Sequence, residues 1–273
     1  MDMDAVKRGV EAPCLSNFRI LHIISAYAQS RGWYFIISWC HRITGIALVS
    51  AVWIRILSQE SLLKAGAYDA KKESFLVSFL LWLLAMPLIF HALNGGRLIL
   101  YESFEKRNDE SMMRWVVTLG IVYLAILALL MAVGDQRVSV FFYWLIALVV
   151  ASLLGYGVAA RIWKTGHSIF WKVQRISGAF LLIMVPAYIL FLYLNLPSDP
   201  TGNSTVPRMA TGFFSVVYLL LLVGALYHGA YGLWSVVSDY ISSRVIRGCS
   251  IVLITLVTLV LAWFGIRLTL GLW

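Results

Sequence analysis

Residues 91–102 read HALNGGRLILYE, and residues 228–239 read HGAYGLWSVVSD. Each stretch begins with a histidine, has a glycine four residues later and ends on a carboxylic acid eleven residues after the histidine. A second motif, R-I-[T/S]-G, occurs at residues 42–45 and again at residues 175–178. Because both motifs recur in the same order and at nearly equal offsets, the sequence predicts a tandem pair of similar units.

The chain around these motifs is strongly apolar. Of its 273 residues, 61% are hydrophobic and 13% are charged, whereas a soluble domain carries roughly a quarter charged residues. The mean hydropathy is +0.84, which excludes a soluble globular protein. Apolar runs of about 20 residues recur, and that length crosses ~30 Å of hydrocarbon as a helix. We therefore predict an all-α, polytopic membrane bundle of seven helices, at about residues 33–58, 74–101, 112–133, 139–163, 169–194, 209–240 and 248–271.

The charged residues of the connections predict the orientation. Lysines and arginines are concentrated in the N-terminal arm and in the alternate connections that share its side, and such an excess marks the cytoplasmic side. The N-terminus is thus predicted to be cytoplasmic. Topology also accounts for the net charge of +9, so we predict no nucleic-acid partner. The scattered Cys14, Cys40 and Cys249 form neither a disulfide framework nor a covalent haem attachment motif.

The repeat and the spans together predict the domain organisation. Both units must begin on the same side, so one extra crossing has to join them. The apolar stretch at 139–163 supplies it, and we expect this helix to pack outside the bundle, to carry no ligand and to be mostly lipid-exposed. The predicted segments are a cytoplasmic arm (1–32), a first three-helix unit (33–133), a crossover helix (134–165) and a second three-helix unit (166–273).

Two histidines lie at equal depth in this parallel repeat. An ionisable residue in a bilayer core is costly, about 2.5 to 3.5 kcal/mol when charged, and an imidazole that ligates a metal avoids an unpaired polar group. One imidazole from each of two facing helices can hold a haem iron. We predict that His91 and His228 hold one haem, and that Gly95 and Gly232, on the same helical faces, let the porphyrin approach the backbone.

The first helix carries a polar face of its own. Ser38, His41, Arg42 and Gly45 are spaced so that they share one side of the helix. A guanidinium below the membrane surface needs an anion or a strong acceptor. Haem propionates or a quinone carbonyl would serve, and snorkelling to lipid headgroups is the alternative.

The fifth helix repeats this face with changes. Arg175 is retained, but Gln174 replaces His41 and Trp171 replaces Ser38. Such divergence is what a single asymmetric small-molecule site between the two units would require.

These residues resemble a known family. The first unit resembles the cytochrome b large anchor subunit of succinate dehydrogenase, respiratory complex II, in the runs Ser38-x-x-His41-Arg42-x-x-Gly45 and His91-x-x-x-Gly95-x-Arg97-x-x-x-x-Glu102. The second unit resembles the small anchor subunit of the same enzyme in the run His228-x-x-x-Gly232-x-Trp234-x-Val236-x-x-Asp239-Tyr240. The chain then looks like both anchors fused in one polypeptide.

The resemblance implies one haem b and one quinone site. It implies axial ligation by His91 and His228, with propionates held by His41, Arg42 and Arg175. The quinone site, on the cytoplasmic side, would be lined by Ser38, Arg42 and Tyr240. Asp239 would orient this neighbourhood or relay protons.

The resemblance also implies partners and a location. Electrons from succinate would pass through a flavoprotein subunit and an iron-sulfur subunit to ubiquinone or menaquinone, so the chain would be the quinone-reactive subunit of a respiratory and tricarboxylic acid cycle enzyme, inactive alone. It would lie in a prokaryotic inner membrane among lipids, within a complex that can assemble into a higher oligomer.

The sequence leaves two alternative functions open. Five histidines are enough for a two-haem, fumarate reductase-type cytochrome b, in which His22, His41 and His167 would be the spare candidates. A membrane transporter would also suit parallel repeats with polar residues near the midplane. Helices broken near Pro87 or Pro186 would favour the transporter.

Overall fold

The structure is a computed structural model that describes residues 32–64, 75–104, 108–133, 138–194 and 212–270. Over these ranges the chain is helical and contains no strand. All seven helices are long and apolar enough to cross a membrane, which confirms the predicted multi-pass bundle. In chain order they are α1 (Trp33–Lys64), α2 (Phe75–Phe104), α3 (Asp109–Val133), α4 (Val140–Ile162), α5 (Ile169–Leu194), α6 (Gly212–Tyr240) and α7 (Arg244–Leu270).

The helix ends follow the apolar pattern closely. The helix predicted at 169–194 coincides with α5 at both ends. In contrast, α1 continues to Lys64, beyond the predicted end at 58. Hydropathy marks the part of a helix that suits the bilayer, whereas backbone hydrogen bonding continues into the polar residues that follow. The predicted N-terminal arm lies outside the described residues, apart from Gly32.

The chain divides into two compact units, Met1–Cys40 and His41–Trp273. The described part of the first unit is the start of α1. It follows Gly32, whose φ of 84° lies in the left-handed region that favours glycine. The carbonyl of Gly32 accepts a hydrogen bond from the backbone N–H of Phe35 at 3.1 Å. Every contact described below lies within the second unit.

Helix α5 is central to the second unit. The largest apolar cluster joins Met184 and Phe191 of α5 to Trp144 of α4 and Val217 of α6. Two further clusters join α5 to α2 and α4, and to α2 and α3. The first helix of the second repeat is therefore held by neighbours on several sides, which fixes the direction in which its polar residues point.

Helix α4, the predicted crossover helix, packs along α5 by one face. Its buried residues recur every three or four positions: Trp144, Ala147, Ala151, Gly155, Val158 and Ile162. The small residues in this row let the two helices approach closely. Phe142, Ile146 and Leu153 on the other side are exposed, and that this face meets lipid stays a prediction. The face that packs on α5 belongs to the core, since Trp144 on that face is completely buried.

Two prolines lie inside helices that continue through them, Pro87 in α2 and Pro186 in α5. The hydroxyl of Tyr123 donates to the carbonyl of Pro186, and the hydroxyl of Tyr143 donates to the carbonyl of Ala187, both at 2.6 Å. Neighbouring side chains thus satisfy backbone groups near the α5 proline. Over the described ranges, neither proline creates the interrupted helix that a transporter would favour.

Candidate functional site

The structure brings together the two histidines of the repeat. The ring of His91, on α2, is perpendicular to the ring of His228, on α6, with ring centroids 6.4 Å apart and an interplanar angle of 89°. Two imidazoles on opposite sides of one metal ion place their ring centroids about 6 Å apart, because each metal–nitrogen distance is about 2 Å and each nitrogen lies about 1 Å from its ring centre. Two imidazoles supply only part of a metal's ligand set, and a porphyrin supplies the rest. The pair therefore suits a haem iron.

The orientation of His91 is set by a hydrogen bond. Its Nδ1 lies 2.9 Å from the carbonyl oxygen of His41 and 3.3 Å from the hydroxyl of Thr44. A ring N–H that donates to a backbone carbonyl fixes the tautomer of a metal-ligating histidine and leaves its other nitrogen available to the metal. His91 is thus held in the form that a ligand requires.

Two glycines leave room for the histidine rings. A Cβ atom on Gly45 would lie 2.8 Å from Cε1 of His91, and one on Gly178 would lie 3.0 Å from Cε1 of His228. The sequence places Gly45 on the polar face of the first helix and marks Gly178 as part of the repeat, but neither glycine is among the predicted haem-site residues. Their signal was present, because each ends the R-I-[T/S]-G motif of its repeat.

The space beside the other two glycines is occupied by polar side chains. A Cβ atom on Gly95 would lie 3.3 Å from Cε1 of His41, and one on Gly232 would lie 3.9 Å from Nε2 of Gln174. The same glutamine nitrogen donates to the carbonyl of His228 at 3.2 Å. His41 and Gln174 occupy equivalent positions in the two repeats, so each reaches the glycine of a neighbouring helix.

His41 also belongs to the histidine cluster itself. Its ring stacks on that of His91, with centroids 4.0 Å apart and an interplanar angle of 6°.

Two other polar residues singled out in the sequence make different contacts. Arg97, on α2, is 5% exposed and lies over the ring of Tyr101 at 5.5 Å. His167, the spare histidine of the α4–α5 connection, is exposed and contacts the ring of Trp171 instead.

Several buried polar atoms at this cluster lack a hydrogen-bond partner among the described residues. They are Nδ1 of His41, Nδ1 of His228, Oε1 of Gln174 and both side-chain amide atoms of Asn94. Asn94 is completely buried one helical turn after His91. An unsatisfied buried polar group costs about 1 to 3 kcal/mol, and each such group calls for an explanation. A cofactor with polar edges fits this lining.

Arg42, at one end of the cluster, contacts two residues of α6. Its Nη2 donates to Oδ2 of Asp239 at 3.0 Å, and its Nη1 donates to the hydroxyl of Tyr240. The guanidinium carbon lies 5.2 Å from the centre of the Tyr240 ring. The predicted quinone-site residues Arg42, Asp239 and Tyr240 are thus adjacent. Ser38 belongs to the other compact unit, so its place in this site stays a prediction from its spacing to Arg42.

Arg175 makes the corresponding contacts to the first repeat. Its Nη2 donates to Oε1 of Glu102 at 2.7 Å, and its Nε donates to Oε2 of the same carboxylate. The indole of Trp171 lies 5.0 Å from its guanidinium carbon. Each arginine of the R-I-[T/S]-G motif therefore pairs with the carboxylate of the other repeat. Sequence reasoning found all four ionised residues but did not predict how they pair.

Comparison with known proteins identifies the family. The family model described as succinate dehydrogenase/fumarate reductase transmembrane subunit matches this chain twice, over residues 21–129 and 156–263. The double match agrees with the internal repeat and with two anchors fused in one chain. No solved structure matches significantly.

Two curated proteins from Rickettsia are similar to part of the chain. The succinate dehydrogenase hydrophobic membrane anchor subunit of Rickettsia prowazekii is 28% identical over 108 residues, which is 37% of this chain and 85% of that protein. The protein of the same name from Rickettsia felis is 30% identical over 98 residues, 36% of this chain and 79% of that protein. With the family model matched in both repeats, this chain belongs to the succinate dehydrogenase/fumarate reductase transmembrane subunit family.

Proposed function

We propose that this chain is the haem b-containing anchor of a succinate:quinone oxidoreductase and holds one haem between His91 and His228. The proposal depends mainly on the perpendicular imidazoles of His91 and His228, whose ring centroids lie 6.4 Å apart. These two residues come from equivalent positions of the two repeats. The bond from His91 to the carbonyl of His41 and the orphaned polar atoms nearby support it. A bound haem b supplies a one-electron carrier at this position.

The residues around the two ligands have distinct roles in this proposal. Gly45 and Gly178 keep space for the rings. The carbonyl of His41 accepts from the His91 ring and orients it, and the side-chain amide of Gln174 donates to the carbonyl of His228. Arg42, Arg175 and His41 would hold the propionates, since guanidinium and imidazole groups suit carboxylates. For Arg175 this requires sharing with Glu102, its partner in the structure. Gly95 and Gly232 lie beside His41 and Gln174, so a porphyrin that approaches these glycines would also lie against those two side chains.

The quinone would bind at Arg42, Asp239 and Tyr240, with Ser38 as a further candidate. The Tyr240 hydroxyl accepts from Arg42 and would donate its own proton to a quinone oxygen. Reduction of a quinone takes up two electrons and two protons, and the Asp239 carboxylate beside Arg42 is placed to hold or pass a proton. Arg42 bonds both the Asp239 carboxylate and the Tyr240 hydroxyl and so keeps these two groups side by side.

The proposal includes the partners and the location named by the resemblance. A flavoprotein subunit oxidises succinate, an iron-sulfur subunit passes the electrons, and this chain anchors both subunits and delivers the electrons to ubiquinone or menaquinone. The anchor names of the Rickettsia relatives and the concentration of basic residues on one side support a cytoplasmic N-terminus in a prokaryotic inner membrane.

A reduced-minus-oxidised difference spectrum of the purified complex tests the proposal, with haem and chain quantified in the same sample. We expect one b-type haem for each chain. Two haems would favour the fumarate reductase-type alternative, and a complex without haem would overturn the assignment of His91 and His228.

A further inference from the structure

The internal repeat generates two equivalent positions, one at each arginine of the R-I-[T/S]-G motif. At the first, Arg42 of α1 pairs with Asp239 of α6. At the second, Arg175 of α5 pairs with Glu102 of α2. Each pair joins the first helix of one repeat to the second helix of the other. The molecule therefore contains a second position with the same framework as the proposed quinone site.

The hydrogen bonds of the two arginines differ. Arg42 divides its donors between the carboxylate of Asp239 and the hydroxyl of Tyr240. Arg175 directs two donors at the two oxygens of Glu102 alone. A two-point pair between a guanidinium and a carboxylate is the more complete and the stronger arrangement. The Arg175 pair is also the less exposed one, because its side chains are 27% and 35% exposed against 35% and 47% for the Arg42 pair.

The residue that follows each carboxylate differs as well. Tyr240 follows Asp239, and its side chain carries a hydroxyl at the guanidinium and an exposed ring. Ser103 follows Glu102, and its hydroxyl is buried with no hydrogen-bond partner in the described part of the chain. A molecule that enters from the membrane can meet a hydroxyl at the first position, whereas the corresponding hydroxyl at the second is shielded.

The residue four positions before each arginine also differs between the two repeats. In the sequence, Ser38 stands four residues before Arg42, and Trp171 stands four residues before Arg175. An aromatic ring lies over each guanidinium, the Tyr240 ring at 5.2 Å from Arg42 and the Trp171 indole at 5.0 Å from Arg175. Only the Tyr240 ring brings a hydroxyl to its arginine, whereas the larger indole takes up space beside Arg175. A quinone needs room for a ring and a donor for each carbonyl oxygen, and the second position offers less of both because Trp171 is bulky and the Ser103 hydroxyl is buried.

We propose that the Arg175 position is a closed counterpart of the quinone site, and that Trp171, Glu102 and Ser103 restrict this chain to one quinone. The inference rests on the proposed function, because it takes the Arg42 position as the quinone site. It assigns a specificity role to three residues that neither ligate the haem nor touch the quinone.

The test is to convert the closed position into a copy of the open one. We would combine Trp171→Ser, Glu102→Asp and Ser103→Tyr in the full chain, purified in its complex. Equilibrium binding of a decyl-substituted para-benzoquinone then gives the number of quinone sites for each chain. We expect one site in the unmodified protein and two in the triple variant. Arg42→Ala should remove one site from each, leaving none and one.

The outcomes separate the two proposals. If Arg42→Ala keeps the site of the unmodified protein, the proposed quinone site is wrong. If Arg42→Ala removes that site but the triple variant still binds one quinone and unfolds at the unmodified temperature, the closed-site inference alone is wrong. Two sites in the unmodified protein would also overturn it. Should the triple variant not fold, Trp171→Ser alone decides, since the inference requires a second, weaker site in that variant.

Discussion

The imidazoles of His91 and His228 are perpendicular to each other, with their centroids 6.4 Å apart, although the two residues belong to different repeats of the chain. Their helices, α2 and α6, carry the same motif, and each ring lies against a glycine on the first helix of its own repeat. The histidine pair is thus formed by two copies of one local arrangement, which explains why single changes at either copy should have matching effects.

Removal of either histidine ligand should remove the haem. We expect His91→Ala and His228→Ala to abolish or alter the b-type difference spectrum, because each leaves the iron with one protein ligand. His167→Ala is the matched control, since His167 is exposed and contacts Trp171, and it should leave the spectrum unchanged. An unaltered bis-histidine spectrum in both variants would contradict haem ligation by His91 and His228.

Removal of the Tyr240 hydroxyl should impair quinone reduction selectively. One hydrogen bond is worth about 0.5 to 1.5 kcal/mol, so Tyr240→Phe should lower the rate of quinone reduction up to about tenfold. Oxidation of succinate by a dye that takes electrons upstream of the quinone should stay near its original rate. An equal loss in both assays would indicate failed assembly and would contradict a role at the quinone.

A methyl group at Gly45 should displace the ring of His91. The added Cβ atom would lie 2.8 Å from Cε1 of that ring, so the ring must shift and the ligand geometry must change. We expect Gly45→Ala to lower the haem content or alter the difference spectrum. Gly157→Ala is the control, because nothing lies within 4 Å of its added Cβ atom. If both variants bind haem normally, Gly45 is not part of the cofactor site.

The crossover helix α4 should tolerate substitution on one face only. Trp144 is fully buried among Met184, Phe191 and Val217, and truncation of a buried aromatic residue costs about 3 to 5 kcal/mol. Trp144→Ala should therefore lower the thermal unfolding temperature in detergent. Leu153→Ala, on the same helix and 65% exposed, should leave that temperature nearly unchanged. Equal effects would contradict the packing of α4 against α5.

Labelling of single cysteines should place the two ends of the crossover helix on opposite sides of the membrane. In a background without Cys14, Cys40 and Cys249, a membrane-impermeant reagent should reach Gln136→Cys from one side and Gly166→Cys from the other. A crossing between them is what keeps the two repeats parallel. Labelling of both from the same side would show that the crossover and the parallel repeat are wrong.

The four charged residues that the sequence selected lie in two pairs, but the partner of each depends on the packing. The sequence identified Arg42, Arg175, Glu102 and Asp239 from the repeat alone. Their crossed pairing could not be read from spacing, because pairing within a repeat would satisfy the same charges. Which carboxylate meets which arginine is decided by the way the helices of the two repeats are placed beside each other.

For the described part of the chain, the sequence by itself determined the number of membrane-spanning helices, their approximate ends and the repeat of the two histidine motifs. These features depend on apolar length and on helical spacing, which are local properties of the chain. Only the tertiary structure decided that Gly45 and Gly178 face the histidine rings, that Trp144 fills the core and that His41 stacks on His91. The physical reason is that helices of uniformly apolar composition carry little information about which face meets which neighbour, so close packing between neighbouring helices makes that choice.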